Sequence, residues 1–266
     1  MSSWQQYLDT AVESARIAGR YQQYRFASTL DVMMKGDKNL VTEVDQESER
    51  LIVEHILGNF PDHGIVAEEG EYPPGSSSFR WIIDPLDGTT NYAHGFPWFC
   101  VSIGLESAGE LVAGVIYNPM HDELFTATSG GGAFLNGNRL HVSSRSPLRD
   151  TLLGTGFPYD CASDPVNNFS NFIAFQKAAR GIRRAGAAAL DLAYVAAGRL
   201  DGFWELKLKA WDVAAGVLLV REAGGVVTTF DGSCYDIFNH RIVASNGLIH
   251  DSMVAMLTTP NREAAE

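Results

Sequence analysis

The sequence predicts an α/β protein whose first half is α+β in character. Three observations carry that reading. Apolar positions at helical spacing alternate with short β-branched and aromatic runs along the chain, strands crowd together between about residues 65 and 128, and beyond Ser146 strand and helix come in turn. No internal repeat, low-complexity stretch or long linker breaks the pattern. The change of character therefore sets a soft boundary near residue 145, between units 1–145 and 146–266.

An amphipathic helix opens the chain at about residues 4–24, and a second runs over 45–57, closed by Gly58 and Pro61. Strand composition follows at 65–67, 81–83, 99–105, 111–117 and 123–128. FLNGNRLHV adds a hairpin, since Asn136-Gly137 suits a tight turn at positive φ. Gly130 to Gly132 lack the Lys-Ser/Thr of a phosphate loop and read as a tight connection. The second unit reads as strand 152–155, helix 167–179, a short strand near Ile182, helix 187–197 and strand 202–206. Helix 212–222, strands 226–230 and 242–244, and a helix over about 249–257 complete it.

Composition narrows the function classes. With 266 residues, 45% hydrophobic and 20% charged, the chain can bury a large core. A net charge of −12 repels phosphate backbones and anionic lipid, so neither nucleic acid nor membrane is an expected partner. No apolar run approaches the roughly 20 residues that span a bilayer. MSSWQQYLDT lacks the basic start and apolar middle of a signal peptide, and the expectation is a cytoplasmic protein. Cys100, Cys161 and Cys234 are scattered and form no CxxC pair, which suits buried thiols in a reducing compartment better than a disulfide frame or a zinc site.

The stretch WIIDPLDGTTNY holds the chemistry. Trp81-Ile82-Ile83 reads as a buried strand that delivers Asp84, Pro85 forbids simple continuation, and Asp87-Gly88 is a turn signal. Taken alone, Asp87 could simply cap the following helix at Thr89, Asp45 could cap the second helix, and Asp212 in KAWDVAAG could cap a third. VAEEGE adds Glu68 and Glu69 at the end of another apolar strand. Were these carboxylates to share a pocket, pairs about 4 Å apart would repel by roughly 4 kcal/mol at an effective dielectric of 20. Protonation or cations would then be required. Oxygen ligands without His or Cys partners favour Mg²⁺, before Mn²⁺ or Ca²⁺, over zinc, and the seven histidines show no HExxH spacing.

Glu68-Glu69, Asp84 to Thr90 (DPLDGTT) and Trp211 to Gly216 (WDVAAG) resemble the three motifs of the inositol monophosphatase family of Mg²⁺-dependent, lithium-sensitive phosphatases. The likeness runs from the first helix to near the C-terminus, and AALDLAYVAAG at 188–198 is similar to the bacterial branch. The resemblance implies a layered αβαβα sandwich and a homodimer. It assigns one metal to Glu68, Asp84 and the Leu86 carbonyl, a second to Asp84, Asp87 and Asp212, and a third, weaker ion to Glu68. Two or three Mg²⁺ ions per site are thus implied, with Mn²⁺ as a substitute. Thr89, bonded to Asp45, would position the attacking water together with Glu68.

Backbone N–H groups of Gly88 and Thr89, at a helix start, can cradle phosphate oxygens beside Leu86 and Asp87. Around the alcohol the likeness sets Gly186, Ala188, Glu205 and Asp212, and it makes Arg183 and Arg184 neighbours of the substrate or of a dimer contact. Ala187 stands where many relatives have threonine, so one polar contact is missing. Lys35 matches a basic position near the metal loop. The expected activity is hydrolysis of myo-inositol 1-phosphate or a similar polyol or sugar monophosphate. Fructose-1,6-bisphosphatase, histidinol-phosphatase and adenosine 3′,5′-bisphosphate phosphatase activities are alternatives on one scaffold. A regulatory or binding protein that keeps the phosphatase fold is the alternative of another class.

Overall fold

The computed structural model describes residues 4–26, 32–34 and 40–259. Helices α1 (Gln5–Arg25) and α2 (Glu43–Asn59) flank a small antiparallel hairpin of β1 (Val32–Met34) and β2 (Leu40–Thr42). Three-residue strands show no alternation, and the sequence pattern does not reveal this hairpin. Helix α2 begins ahead of Asp45. Val44 N donates to Thr42 Oγ1 at 3.1 Å and Thr42 N donates to Asp45 Oδ2 at 2.8 Å, so Asp45 closes a capping box from inside the first turn. Lys35 lies outside the described residues.

Seven strands then build one sheet in chain order: β3 (Gly64–Ala67), β4 (Phe79–Asp87), β5 (Cys100–Ser107), β6 (Glu110–Asn118), β7 (Glu123–Thr128), β8 (Gly132–Leu135) and β9 (Asn138–Arg139). Only the β3–β4 pair is parallel. A short helix α3 (Thr89–Ala93) follows β4. Pro85 does not end β4. The pairing shifts between Asp84 opposite Ser102 and Asp87 opposite Cys100, so the proline sits in a bulge where its missing N–H breaks no ladder.

The rest of the chain contributes β10 (Leu152–Thr155), α4 (Phe169–Ala178), β11 (Gly181–Arg183), α5 (Ala188–Ala196), β12 (Gly202–Leu206), α6 (Ala210–Glu222), β13 (Val226–Thr228), β14 (Arg241–Ser245) and α7 (His250–Thr258). Its five strands are ordered β11-β10-β12-β14-β13, with β10 parallel to both neighbours and β14 antiparallel to both of its own. Helix α6 starts at Ala210, one turn's fraction before Asp212.

Side-chain alternation stacks these elements into five layers. Trp81 and Ile83 of β4 pack with Ala11, Ala15, Ile52 and Ile56 of α1 and α2. Ile82, on the opposite face, packs with α5 and α6, whose other side meets Phe203 and Ile242 of the second sheet. Trp204 and Val243 face outward against Phe175 of α4 and Met253 of α7. The order α, β, α, β, α is the sandwich that the resemblance implies. Because α5 and α6 lie between two sheets, they are apolar nearly all round. Small residues let α6 sit hard on the first sheet: a Cβ at Gly104 would come 2.8 Å from Ala214 Cβ, and one at Gly114 would come 3.1 Å from Ala215 Cα. That close seat fixes where Asp212 stands. Among the described residues no helix is long and apolar enough to cross a membrane.

Candidate active site

The bulge in β4 aims two carboxylates into one cavity. Asp84 is 1% exposed and accepts Leu86 N–H at 3.0 Å. Asp87 is half-buried, and its Oδ2 accepts Ala189 N–H, in the first turn of α5, at 2.7 Å. It therefore steadies the start of a helix 102 residues away and not the helix that follows it. The N-cap of α3 is Gly88, at φ +101°, where a Cβ would also come 2.9 Å from Trp98 O. Both conditions require glycine. Asp212, half-buried in the first turn of α6, accepts Lys209 N–H at 2.6 Å. Glu68, just past β3, lines the same cavity.

These side chains feel one another. Burial, then the charges of Glu68, Asp87 and Asp212, push Asp84 well above the usual carboxylate range. Burial raises Asp87 to about 7, opposed by the Ala189 N–H and supported by the charge of Glu68. Asp212 is raised to about 7, again chiefly by burial, against the Lys209 N–H. Glu205 and Asp191 are pushed well up by burial and by neighbouring carboxylates, with Arg184 pulling the other way. Six carboxylates thus share a field against three lining cations, Arg184, Lys207 and Lys209, of which Lys207 is already paired with Asp160 and Asp164.

Among the described residues, no three His, Cys, Asp or Glu side chains close into a finished ion cage. The donor set still fits a hard divalent cation. It is all oxygen, anionic and short of counter-charge, and Mg²⁺ habitually keeps coordination positions for water and phosphate. Glu68, Asp84, Asp87, Asp212 and the Leu86 carbonyl are the groups that could hold it.

Beside this cluster, Thr89 Oγ1 donates to Asp45 Oδ1 at 2.8 Å and lies 3.2 Å from Leu86 O. Asp45 is 1% exposed; burial raises its pKa while bonds from Thr42 and Thr89 lower it. With its proton committed to Asp45, the Thr89 hydroxyl turns lone pairs outward to accept from water.

The cavity measures about 630 Å³ and is lined by Leu86, Gly88, Thr89, Gly186, Ala188 and Glu205 as well as the metal-motif carboxylates. Ala187, at the N-cap of α5, has no side chain that can cap it, and just ahead of it Asn91 Nδ2 donates to the Ala185 carbonyl at 2.9 Å. Arg183 does not line the cavity. Its neighbour Arg184 does, while Arg183 opens onto a separate cleft, as adjacent residues at a strand end must diverge. Among the lining residues that sequence reasoning does not single out are Asp191 and Tyr159. Asp191 had a signal, being the lone acid in the apolar run AALDLAYVA. Tyr159, which lines the cavity beside Thr90, sits in an irregular loop and had none.

Over residues 3–262 the sequence matches the inositol monophosphatase family. It is 45% identical over 256 residues to the inositol-1-monophosphatase of Mesorhizobium japonicum, covering 95% of this chain and 96% of that one. It is 48% identical over 250 residues to Nus factor SuhB of Pseudomonas aeruginosa, covering 91% and 92% respectively. The solved inositol monophosphatase from Anabaena superimposes with a TM-score of 0.89 at 44% identity, over 99% of this chain and 100% of that one. The extragenic suppressor protein suhB from Bartonella henselae matches with the same TM-score of 0.89 at 44% identity, over 95% and 98%.

Proposed function

Because this chain belongs to the inositol monophosphatase family, whose members are phosphatases and generally metal-dependent, we propose that it is a Mg²⁺-dependent phosphomonoesterase acting on myo-inositol 1-phosphate or a similar polyol monophosphate. One observation supports this most: Glu68, Asp84, Asp87 and Asp212, brought from three separate stretches of the chain, line one cavity, with Asp84 buried within the charges of the other three. Glu68, Asp84 and the Leu86 carbonyl would hold one ion, and Asp84, Asp87 and Asp212 a second, with a third leaning on Glu68. Bound there, Mg²⁺ supplies charge neutralisation, polarisation of the phosphoryl group and acidification of water.

The chain's own groups do the positioning. Thr89, oriented by Asp45, accepts a hydrogen bond from the attacking water, and Glu68 shares in taking its proton. First-turn N–H groups of a helix lack intrahelical partners, so Gly88 and Thr89 can donate to phosphate oxygens. Glu205 accepts hydrogen bonds from the hydroxyls of the alcohol, beside Gly186 and Ala188. No covalent phosphoenzyme is needed.

The test is phosphate release from a panel of myo-inositol 1-phosphate, histidinol phosphate, fructose 1,6-bisphosphate and adenosine 3′,5′-bisphosphate, with Mg²⁺ and with chelator, for wild type and Asp87→Asn. A large kcat/KM preference for any panel member other than inositol 1-phosphate overturns the substrate. Full turnover without metal, or by Asp87→Asn, overturns the mechanism. A second reading, a regulatory role in binding other macromolecules, draws on relatives named Nus factor SuhB at 44–48% identity. A cellular phenotype that survives Asp87→Asn would favour it.

A further inference from the structure

A second cleft, of about 330 Å³, is lined by Arg145, Arg180, Arg183 and Arg199 together with Asp150 and Asp201. Four guanidinium groups gathered in one cleft of a chain with net charge −12 call for a physical account. The two carboxylates leave positive charge over. Asp201 is buried and already accepts from Leu152 N at 2.7 Å, from Ser143 Oγ at 2.5 Å and from one Arg145 N–H at 3.2 Å. Asp150 is taken by Arg180 at 2.8 Å. Arg199 is drawn to Glu123 and stacks on the Tyr194 ring, 4.6 Å from its centroid.

That leaves Arg183 and much of Arg145. Arg183 donates only to the Ile182 carbonyl, at 3.1 Å, and meets no carboxylate among the described residues. Its side chain runs beside Gly181, where a Cβ would come 3.6 Å from Nη1. Arg145 spends one nitrogen on the Gly198 carbonyl and Asp201, and keeps its other guanidinium donors for the cleft. Guanidinium forks match phosphate oxygens in geometry and stay charged at every accessible pH. The cleft lies at the small end of ligand sites, with room for a phosphate group and a small molecule that carries it.

We propose that this cleft is a second oxyanion site, independent of metal, that takes the phosphate group of a small molecule between Arg145 and Arg183. It differs in sign from the catalytic cavity, which repels anions until cations are bound. The proposal rests on this cleft alone and stands whether or not the catalytic reading does.

Equilibrium dialysis of labelled inorganic phosphate against the full chain, in EDTA at low ionic strength, tests it. Chelation silences the carboxylate cavity and leaves the arginines. The expected result is saturable binding that weakens as salt rises and falls roughly tenfold or more in Arg183→Ala, the loss of a charged hydrogen-bonding partner. Arg183→Lys should fall between, keeping the charge without the fork. Because Arg183 is exposed, an unchanged melting temperature separates lost binding from lost fold; Arg145→Ala, which strips a partner from buried Asp201, serves only as the second variant. Methylphosphonate as competitor distinguishes sources: competition points to a phosphorylated metabolite, and its absence to the free ion. No saturable binding in chelator, or binding unaltered in both variants, overturns the proposal. So does binding of a short RNA at these arginines without phosphate binding.

Discussion

Asp45 and Asp212 each stand in the first turn of a helix, α2 and α6, and each accepts the backbone N–H three residues back, from Thr42 at 2.8 Å and from Lys209 at 2.6 Å. Beyond that shared cap their surroundings part. Asp45 is 1% exposed and gives its other oxygen to Thr89, whereas half-buried Asp212 lines the cavity within the field of Asp84 and Asp87. Capping and function are therefore not rival readings of an aspartate. A carboxylate has two oxygens, so one can lock the rotamer while the other works, which is how a site gains rigidity from a regular helix end.

Asparagine at each position tests that division, because its amide keeps one acceptor and drops the charge. Asp212→Asn can still accept Lys209 N–H, so the fold should hold. We expect kcat/KM for phosphate release in Mg²⁺ to fall by about 10²–10³-fold, the usual scale for losing one electrostatic group. Full turnover in steady-state assays would reduce Asp212 to a cap. Asp45→Asn cannot serve Thr42 and Thr89 together, since each of its two oxygens now accepts from donors. A drop of roughly 10²-fold in kcat, with the Mg²⁺ concentration for half-activity unchanged, is expected from a mispositioned water. A raised Mg²⁺ requirement would move Asp45 into the metal cluster and erase the contrast.

A smaller effect is expected from the sheet beneath. Gly104→Ala brings a Cβ to 2.8 Å from Ala214 Cβ, closer than two carbons pack, so α6 must shift off the sheet and carry Asp212 with it. Thermal unfolding should report a loss of about 1–3 kcal/mol, as for an overpacked core. Turnover should drop only severalfold, and Asp45, on the far side of the sheet, should be untouched. Unchanged activity with lost stability would show that Asp212 tolerates displacement.

Much of this arrangement is legible in the sequence because it is local. The apolar run Trp81 to Ile83 announces a buried strand, whereas the acids behind it read alone as a turn or a cap and gain a metal role only beside Glu68 and Asp212 in the motifs that resemble the family. The five layers are implied by the family resemblance and not by periodicity, and the structure gives their reason: the apolar helices α5 and α6 are covered on both sides. What escapes is tertiary. The helix that Asp87 steadies is 102 residues distant, and no spacing rule reaches that far. Continuation of β4 through Pro85 depends on a bulge opposite Ser102 and Cys100. Arg183 and Arg184 are equal as letters, and only the end of β11 sends one to the cavity and the other to the arginine cleft. The β1–β2 hairpin is too short for its period to be read.

The mildest expected effect separates the two aspartates by proton binding in the metal-free protein. Burial raises Asp87 and Asp212 to about 7, and Asp84 well above its ordinary value, whereas in the unfolded chain all three titrate near the usual carboxylate pKa of about 4. Between those limits the native state holds more protons than the unfolded one, so stability is fullest at the acid side of the window and is lost as pH rises through about 7. With chelator present, the melting temperature should fall by several degrees from about pH 5 to 8, given about 2–4 °C per kcal/mol for chains of near this size. Mg²⁺ should recover the loss at pH 8 by binding the native state alone. Asp212→Asn removes one of the titrating groups and should flatten the slope; Asp45→Asn leaves the cavity carboxylates in place and should keep most of it. An unchanged slope in Asp212→Asn would put the protons elsewhere and make its carboxylate a cap of the same kind as that on α2.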